Sequence, residues 1–224
     1  MPWGSMAQGL SLLWAAGVLN EYRGLCYPHK AWLFHAHTVA AAAAVVAAVF
    51  GTVRSQEAAK NHNKENRLSM LARHRSTMQW AVSLSALAAA AMLYKKAVHA
   101  ELGWLLVSGR MPSSHSWVAL AWLGPVVIVL GLTGLIVHRA GPSFHPHPLL
   151  VRLSEILFGS LGNARKALAP WHRNAGLVGT TVVLVAAAYG LTEKNDVAFR
   201  RKLAYLLGMI WASLVGQKFL SRRD

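Results

Sequence analysis

Charged residues are scarce in this sequence, and acidic ones are the scarcest. Only 14% of the 224 residues are charged and 54% are hydrophobic, with 23 lysines and arginines against 8 acidic residues. An ordinary soluble domain is excluded, because its apolar fraction is lower and more evenly spread. Cys26 is the only cysteine, which excludes an intrachain disulfide, an iron–sulfur cluster or a thiolate metal site built by this chain alone. The first apolar stretch has no lysine or arginine before it, so a cleaved signal peptide is not expected.

The apolar residues gather in blocks long enough to cross a membrane. A helix needs about 20 residues to cross the hydrocarbon core of a bilayer, and such blocks lie near 31–53, 76–97, 114–137 and 174–192, with weaker ones near 3–19 and 203–218. Runs such as 40–53 and 119–137 are apolar on every face. The sequence predicts an all-α, multi-pass membrane helical bundle of about six transmembrane helices, forming a single domain over 1–224.

The basic residues indicate how this bundle is oriented. If six spans cross the membrane in alternating directions, both termini lie on the same side. That side holds 14 of the 23 lysines and arginines, and the other side holds nine. The positive-inside rule then places the termini in the cytoplasm or the equivalent compartment of an organelle. The membrane could therefore be that of a mitochondrion or a plastid. Topology and anionic lipid explain the positive charge, so the expected partner is the lipid membrane and not nucleic acid.

One inter-span segment has an amphipathic pattern of its own. In residues 149–168, Leu149, Leu153, Ile156 and Leu157 share one helical face, with Arg152 and Glu155 opposite. This spacing predicts a helix that lies in the membrane interface or against a partner.

Four histidines lie at or just inside the start of the four strongest apolar blocks: His37, His74, His115 and His172. Because consecutive spans run in opposite directions, His37 faces His115 on one side of the bilayer and His74 faces His172 on the other. Two imidazoles facing each other across a bundle core are what bis-histidine haem ligation requires. The pattern predicts two haem b groups in a four-helix core.

Small residues one or two helical turns from these histidines leave room for a flat macrocycle. They are Ala41 and Ala44 after His37, Ala119 after His115, and Gly176 and Gly179 after His172. Met78, four residues after His74, does not fit the pattern.

Three short stretches resemble the cytochrome b561 family: SSHSW at 113–117, PWHRNAG at 170–176 and GLTEK at 190–194. The resemblance covers roughly 31–194, the expected haem-binding core. It implies six helices and two b-type haems, with one ligand from each of the four central helices. It also implies an ascorbate-dependent transmembrane oxidoreductase, which passes single electrons from cytoplasmic ascorbate to ferric iron or monodehydroascorbate on the other side.

The resemblance also selects the first ligand. In the family a phenylalanine precedes that histidine by three positions, and counting from Phe34 gives His37. His35 stays an alternative. Two residues turn a helix by about 200°, so His35 and His37 cannot both face one haem.

An anionic donor such as ascorbate needs basic side chains near the inner haem. Arg54, Arg67 and Arg73 lie on the His74/His172 side, and the resemblance places Arg54 and Arg67 near the ascorbate surface. These arginines could instead be topological anchors.

Two other function classes stay open. The chain could be a haem-bearing or structural subunit of a larger respiratory or photosynthetic complex, or it could form a homodimer. It could also be a transporter or scaffold without haem, in which the histidines relay protons.

Overall fold

A computed structural model of the chain describes residues 3–23, 31–98, 118, 124–137, 148–192 and 198–219. Within these ranges it contains seven α-helices and no strand, so the all-α prediction is confirmed. They are α1 (Trp3–Arg23), α2 (Ala31–Lys60), α3 (Lys64–Val98), α4 (Gly124–Val137), α5 (Pro148–Phe158), α6 (Leu161–Thr192) and α7 (Ala198–Phe219).

Three of these helices are long and apolar enough to cross a membrane: α2, α3 and α6. They contain the predicted spans 31–53, 76–97 and 174–192. Helix α4 is apolar but has 14 described residues, and the part of the predicted span 114–137 before it is described only at Val118. Helices α1 and α7 confirm that the flanking blocks are helical, but neither is among the helices that are long and apolar enough to cross a membrane, and α7 carries Arg200, Arg201 and Lys202 near its start.

The helices extend well beyond the apolar blocks that were predicted as spans. The connection between α2 and α3 is only Asn61–Asn63. The Asn63 Oδ1 atom accepts hydrogen bonds from the backbone N–H groups of Glu65 (3.0 Å) and Asn66 (3.2 Å), which caps α3. A connection this short forces α2 and α3 to run antiparallel.

The predicted amphipathic helix over 149–168 is interrupted at Gly159. This glycine has φ 73°, a conformation that side chains with a Cβ avoid, and its N–H bonds to the Glu155 carbonyl at 2.9 Å. The Ser160 hydroxyl then accepts the Asn163 N–H at 3.1 Å and begins α6. The first half of the segment is therefore α5, and the second half is the start of α6.

The core of the bundle lies between α1, α2, α6 and α7. Its centre includes Trp14, Val49, Leu184, Ile210 and Leu214, all at most 3% exposed. Helix α2 presents buried alanines along most of its length, which lets neighbouring backbones approach closely. Helix α3 packs along α2, α4 packs on α6, and α5 packs on the start of α6.

Hydrogen bonds between helix ends show which ends lie together. Lys60 Nζ donates to the Gln217 carbonyl at 3.2 Å, and Lys218 Nζ donates to Asn174 Oδ1 at 3.3 Å. Arg165 Nε donates to the Ile136 carbonyl at 3.0 Å. Lys60 and Lys218 thus place the ends of α2 and α7 beside each other and beside Asn174 of α6, and Arg165 places the end of α4 beside the first turns of α6. We call this end of the bundle, where α3 also begins, the basic end.

A buried pair of hydroxyl groups joins α2 to α6. Thr52 and Thr180 are 7% and 2% exposed, and their Oγ1 atoms are 2.7 Å apart. Thr180 also donates its only hydroxyl proton to the Gly176 carbonyl at 3.0 Å. With the Thr180 proton on the Gly176 carbonyl, the Thr52 hydroxyl is the donor between the two threonines.

This asymmetry predicts unequal effects of removing the two hydroxyls. Thr180→Val leaves the buried Thr52 donor without its acceptor, whereas Thr52→Val leaves the Thr180–Gly176 bond intact. We expect Thr180→Val to lower the free energy of unfolding by about 1 kcal/mol and Thr52→Val by less. Reversible unfolding in mixed detergent micelles measures both, and a larger effect of Thr52→Val would contradict the assignment.

Candidate functional site

His74 and His172 line the same cavity at the basic end of the bundle. The cavity has a volume of about 980 Å³ and lies between α2, α3, α4 and α6, reaching the end of α7. Its size is that of a cofactor site. The order of the spans predicts that these two histidines face each other, and the structure places both of them on the lining of one cavity.

The His74 imidazole is held by the backbone of α2. Its Nδ1 atom lies 2.8 Å from the Gly51 carbonyl, and the residue is 7% exposed. A carbonyl can only accept, so Nδ1 carries the proton and donates it. In a neutral imidazole this places the lone pair on Nε2, the nitrogen that would ligate a metal.

The His172 imidazole is oriented by a hydroxyl on α4. Thr133 Oγ1 donates to the Val129 carbonyl at 2.8 Å, and it lies 3.1 Å from His172 Nδ1. With the Thr133 hydroxyl proton donated to the Val129 carbonyl, the hydroxyl oxygen accepts a hydrogen bond from the N–H of His172 Nδ1. His172 therefore has the same tautomer as His74, with its lone pair on Nε2.

His37 repeats this arrangement toward the other end of the α2–α3 pair. Its Nδ1 atom lies 2.9 Å from the Ala88 carbonyl of α3. His37 precedes Gly51 by fourteen residues in α2, and His74 precedes Ala88 by fourteen in α3. The two antiparallel helices thus hold each other's histidines at positions about 21 Å apart along the helix axis.

The partner predicted for His37, His115, lies outside the described residues, so its pairing stays a prediction. The alternative first ligand, His35, stands edge-on to the Phe34 ring, with 6.5 Å between ring centroids. Of the two histidines, His37 makes the hydrogen bond to a backbone carbonyl of the neighbouring helix, which favours His37 over His35 as the first ligand.

The glycines near His172 differ in what they face. Gly176 and Gly179 both line the cavity. A Cβ at Gly176 would meet no atom within 4 Å, whereas a Cβ at Gly179 would overlap Leu130 of α4. Gly176 therefore borders open space one turn from His172, and Gly179 provides close packing of α4 on α6.

Met78 is explained by a glycine on the facing helix. A Cβ at Gly51 would overlap Met78 Sδ, so the methionine packs over the bare backbone of α2. Gly51 has two roles. Its carbonyl accepts the hydrogen bond from His74, and its lack of a side chain makes room for Met78. Small residues were expected only on the ligand's own helix, so the role of Gly51 on the facing helix was not predicted.

The predicted substrate arginines do not line this cavity. Arg54 Nη1 donates to Thr77 Oγ1 and to the Arg73 carbonyl (3.5 Å), and the guanidinium lies 6.0 Å from the Phe50 ring centroid. Arg54 thus ties α2 to α3. Arg67 and Arg73 lie exposed on α3. A role of these three in substrate binding stays a prediction.

A different set of basic residues lines the His74/His172 cavity: Lys60, Arg75, Arg173 and Lys218, together with His62. Arg75 and Arg173 directly follow the two histidines in the sequence, a signal that would have identified them. Lys60 and Lys218 are brought there by the meeting of α2 with α7, which no local pattern reveals. These side chains give the cavity a positive lining suited to an anion.

A buried acceptor in the same cavity has no hydrogen-bond partner among the residues that the structure describes. Gln56 lines the cavity, its Nε2 donates to the Leu214 carbonyl at 3.3 Å, and its buried Oε1 has no partner. Reversing the amide would bring two oxygens together, so this orientation is fixed. A bound molecule with a hydroxyl donor would satisfy Oε1.

No protein-family model matches the sequence, and no curated protein matches it significantly. The resemblance to cytochrome b561 therefore depends on the three short stretches and on the histidine arrangement.

The described residues contain no group of three or more His, Cys, Asp or Glu side chains that could hold a bare metal ion. A haem supplies four equatorial nitrogens itself and needs only axial ligands from the protein. Two Nε2 lone pairs, a cavity of adequate size and the open space beside Gly176 fit such a group.

The hydrogen bonds predict the tautomers of three histidines in the ligand-free protein. His37, His74 and His172 should each carry the proton on Nδ1, visible in ¹⁵N NMR of selectively labelled protein in micelles. Thr133→Val removes the acceptor and should change the His172 signals alone, while Thr133→Ser should preserve them. A protonated Nε2 at His74 in the unaltered protein would contradict the geometry.

Proposed function

We propose that this protein is a transmembrane electron carrier that binds two b-type haems and moves single electrons across a membrane. His74 and His172 ligate one haem, and His37 and His115 ligate the other. The donor is an anionic reductant such as ascorbate on the side of the termini, and the acceptor is ferric iron or monodehydroascorbate on the opposite side.

The observation that carries this proposal is the pair His74 and His172 on one cavity, each with Nδ1 engaged by the protein. Ligating histidines generally donate their second nitrogen to a fixed acceptor, which sets the ring orientation and raises ligand basicity. The Gly51 carbonyl and the Thr133 hydroxyl perform this role here. A haem bound between them would supply one-electron chemistry with both axial positions filled.

The equivalent hydrogen bond of His37 supports a second site. Its acceptor, the Ala88 carbonyl, is a backbone atom of the neighbouring helix, as Gly51 is for His74. The two sites would lie near opposite ends of the α2–α3 pair, which suits a carrier that connects the two sides of a membrane. The four small residues Ala40, Ala42, Ala44 and Ala48, each at most 3% exposed, keep α2 close to its neighbours between the sites.

The positive lining of the cavity supports an anionic donor. Lys60 and Lys218 are positioned by their bonds to the Gln217 carbonyl and Asn174 Oδ1. Together with Arg75 and Arg173 they surround the approach to His74 and His172. The unpartnered Gln56 Oε1 would accept a hydroxyl proton from the same donor. These residues bind and orient the reductant and take no part in ligation.

The first test is cofactor content. We expect about two haems per purified chain by the pyridine haemochrome assay, with a reduced-minus-oxidised spectrum of six-coordinate b-type haem. His74→Ala and His172→Ala should each remove the same spectral component, because each takes away one of two ligands to the same iron. His37→Ala and His115→Ala should remove the other.

His62 and His35 provide matched controls. His62 lines the same cavity, and His35 lies two residues from His37, yet neither is assigned as a ligand. Both alanine variants should retain the full spectrum. Absence of haem from the unaltered protein would refute the proposal and favour a proton relay through the histidines.

The second test concerns the donor surface. Arg75→Gln and Arg173→Gln should slow stopped-flow reduction by ascorbate and weaken its dependence on ionic strength, with haem content unchanged, because each removes a positive charge from the cavity lining.

Arg67→Gln is the matched comparison, since Arg67 is exposed on α3 and does not line the cavity. A loss of rate in Arg54→Gln or Arg67→Gln alone would instead assign the donor surface to the arginines identified by the sequence. Unchanged rates in all four variants would favour a subunit of a larger complex, reduced by a protein or a quinol.

A further inference from the structure

Helix α5 has three distinct faces. The side chains of Leu150, Val151, Ser154 and Phe158 are buried or half-buried against α6. A second face is apolar and strongly exposed, with Leu149 at 69%, Leu153 at 48%, Ile156 at 74% and Leu157 at 63%. The third face carries the exposed polar residues Arg152 and Glu155. At about 100° per residue, these faces are separated by roughly 120°.

A helix packed sideways on a bundle at a membrane surface needs such a division. One face contacts the protein, one faces the lipid and one faces the water. A helix surrounded by water would instead have polar residues on both exposed faces.

The position of α5 along the bundle matches the edge of the apolar layer. The Arg165 Nε bond to the Ile136 carbonyl places Arg165 level with the end of the apolar helix α4. Arg165 follows the first residue of α6 by four positions, about 6 Å along the helix. Since α5 ends at Phe158, just before α6 begins, the end of α5 lies near the level at which the apolar helix α4 ends.

Charge at this level favours anionic lipid. Arg152 on α5 and Lys166 on α6 are exposed, and each basic residue near an anionic membrane surface contributes about 1 kcal/mol of attraction. The apolar face has only four large side chains, whereas a stable protein interface uses roughly 20–30 residues from each partner. A second copy or a partner protein is therefore a poorer match than lipid.

We infer that α5 is an interfacial anchor: its face of Leu149, Leu153, Ile156 and Leu157 inserts at the boundary between headgroups and acyl chains, on the side of the basic end. This inference depends on the membrane crossing of α4 and α6 in the proposed function, but not on haem. The anchor would hold the start of α6, and with it the approach to His172, at a fixed depth.

Site-directed spin labelling tests this in the full chain. Cys26→Ser gives a background without cysteine, because Cys26 is the only one. Single cysteines are then introduced at Ile156 on the apolar face, at Glu155 on the polar face, and at Val129, which is 44% exposed in the middle of α4 and does not line the His74/His172 cavity. Each variant is labelled with a nitroxide in nanodiscs of phosphatidylcholine and phosphatidylglycerol, and its collisions with oxygen and with a water-soluble nickel chelate are measured.

We expect the ratio of oxygen to nickel accessibility at Ile156 to exceed that at Glu155 several-fold and to be lower than at Val129. Equal ratios at Ile156 and Glu155 would overturn the inference, as would protection of Ile156 from both reagents, which would indicate a protein partner. Val129 separates the two hypotheses: an aqueous signal there would refute the membrane crossing itself, whereas a lipid signal at Val129 with an aqueous one at Ile156 would refute only the anchor.

Discussion

Close contact between α2 and α3 determines most of what the proposed site can do. The imidazoles of His37 and His74 reach backbone carbonyls on the opposite helix at 2.9 and 2.8 Å. Such bonds require the two backbones to approach closely, which the alanines of α2 and the bare Gly51 permit. If the helices were farther apart, both imidazoles would lose the acceptors that set their tautomer, and Met78 would no longer pack on α2.

The sequence was sufficient to predict the helical class and the position of its apolar blocks. Long runs without charge, such as 40–53, can only be helices of a membrane or of a large core, and the structure places them in α2, α3 and α6. The extent of the helices was not predictable from hydropathy. Residues 54–60 and 64–75 are polar, but they continue as helix because nothing in them interrupts it before the Asn61–Asn63 turn.

The site was predictable in part, because a histidine at the start of an alternating span has a defined side of the bundle. This placed His74 with His172, and both line one cavity. The acceptors of their protons were not predictable. Gly51 acts through its carbonyl, which every residue possesses, and Thr133 acts through a hydroxyl already bonded within its own helix. Lys218 joins the cavity only because α7 ends beside α6, a contact between residues 44 positions apart.

The equal spacing of fourteen residues in α2 and α3 has a consequence for how this chain can vary. One extra residue between His37 and Gly51 would rotate one imidazole by about 100° away from α3 while leaving its counterpart bound. The two helices can therefore change length only outside these intervals, or together and by the same amount. The two histidine–carbonyl bonds therefore fix the register of α2 against α3. The turn at Asn61–Asn63 lies outside both fourteen-residue intervals, so additional residues can be inserted there without breaking either bond.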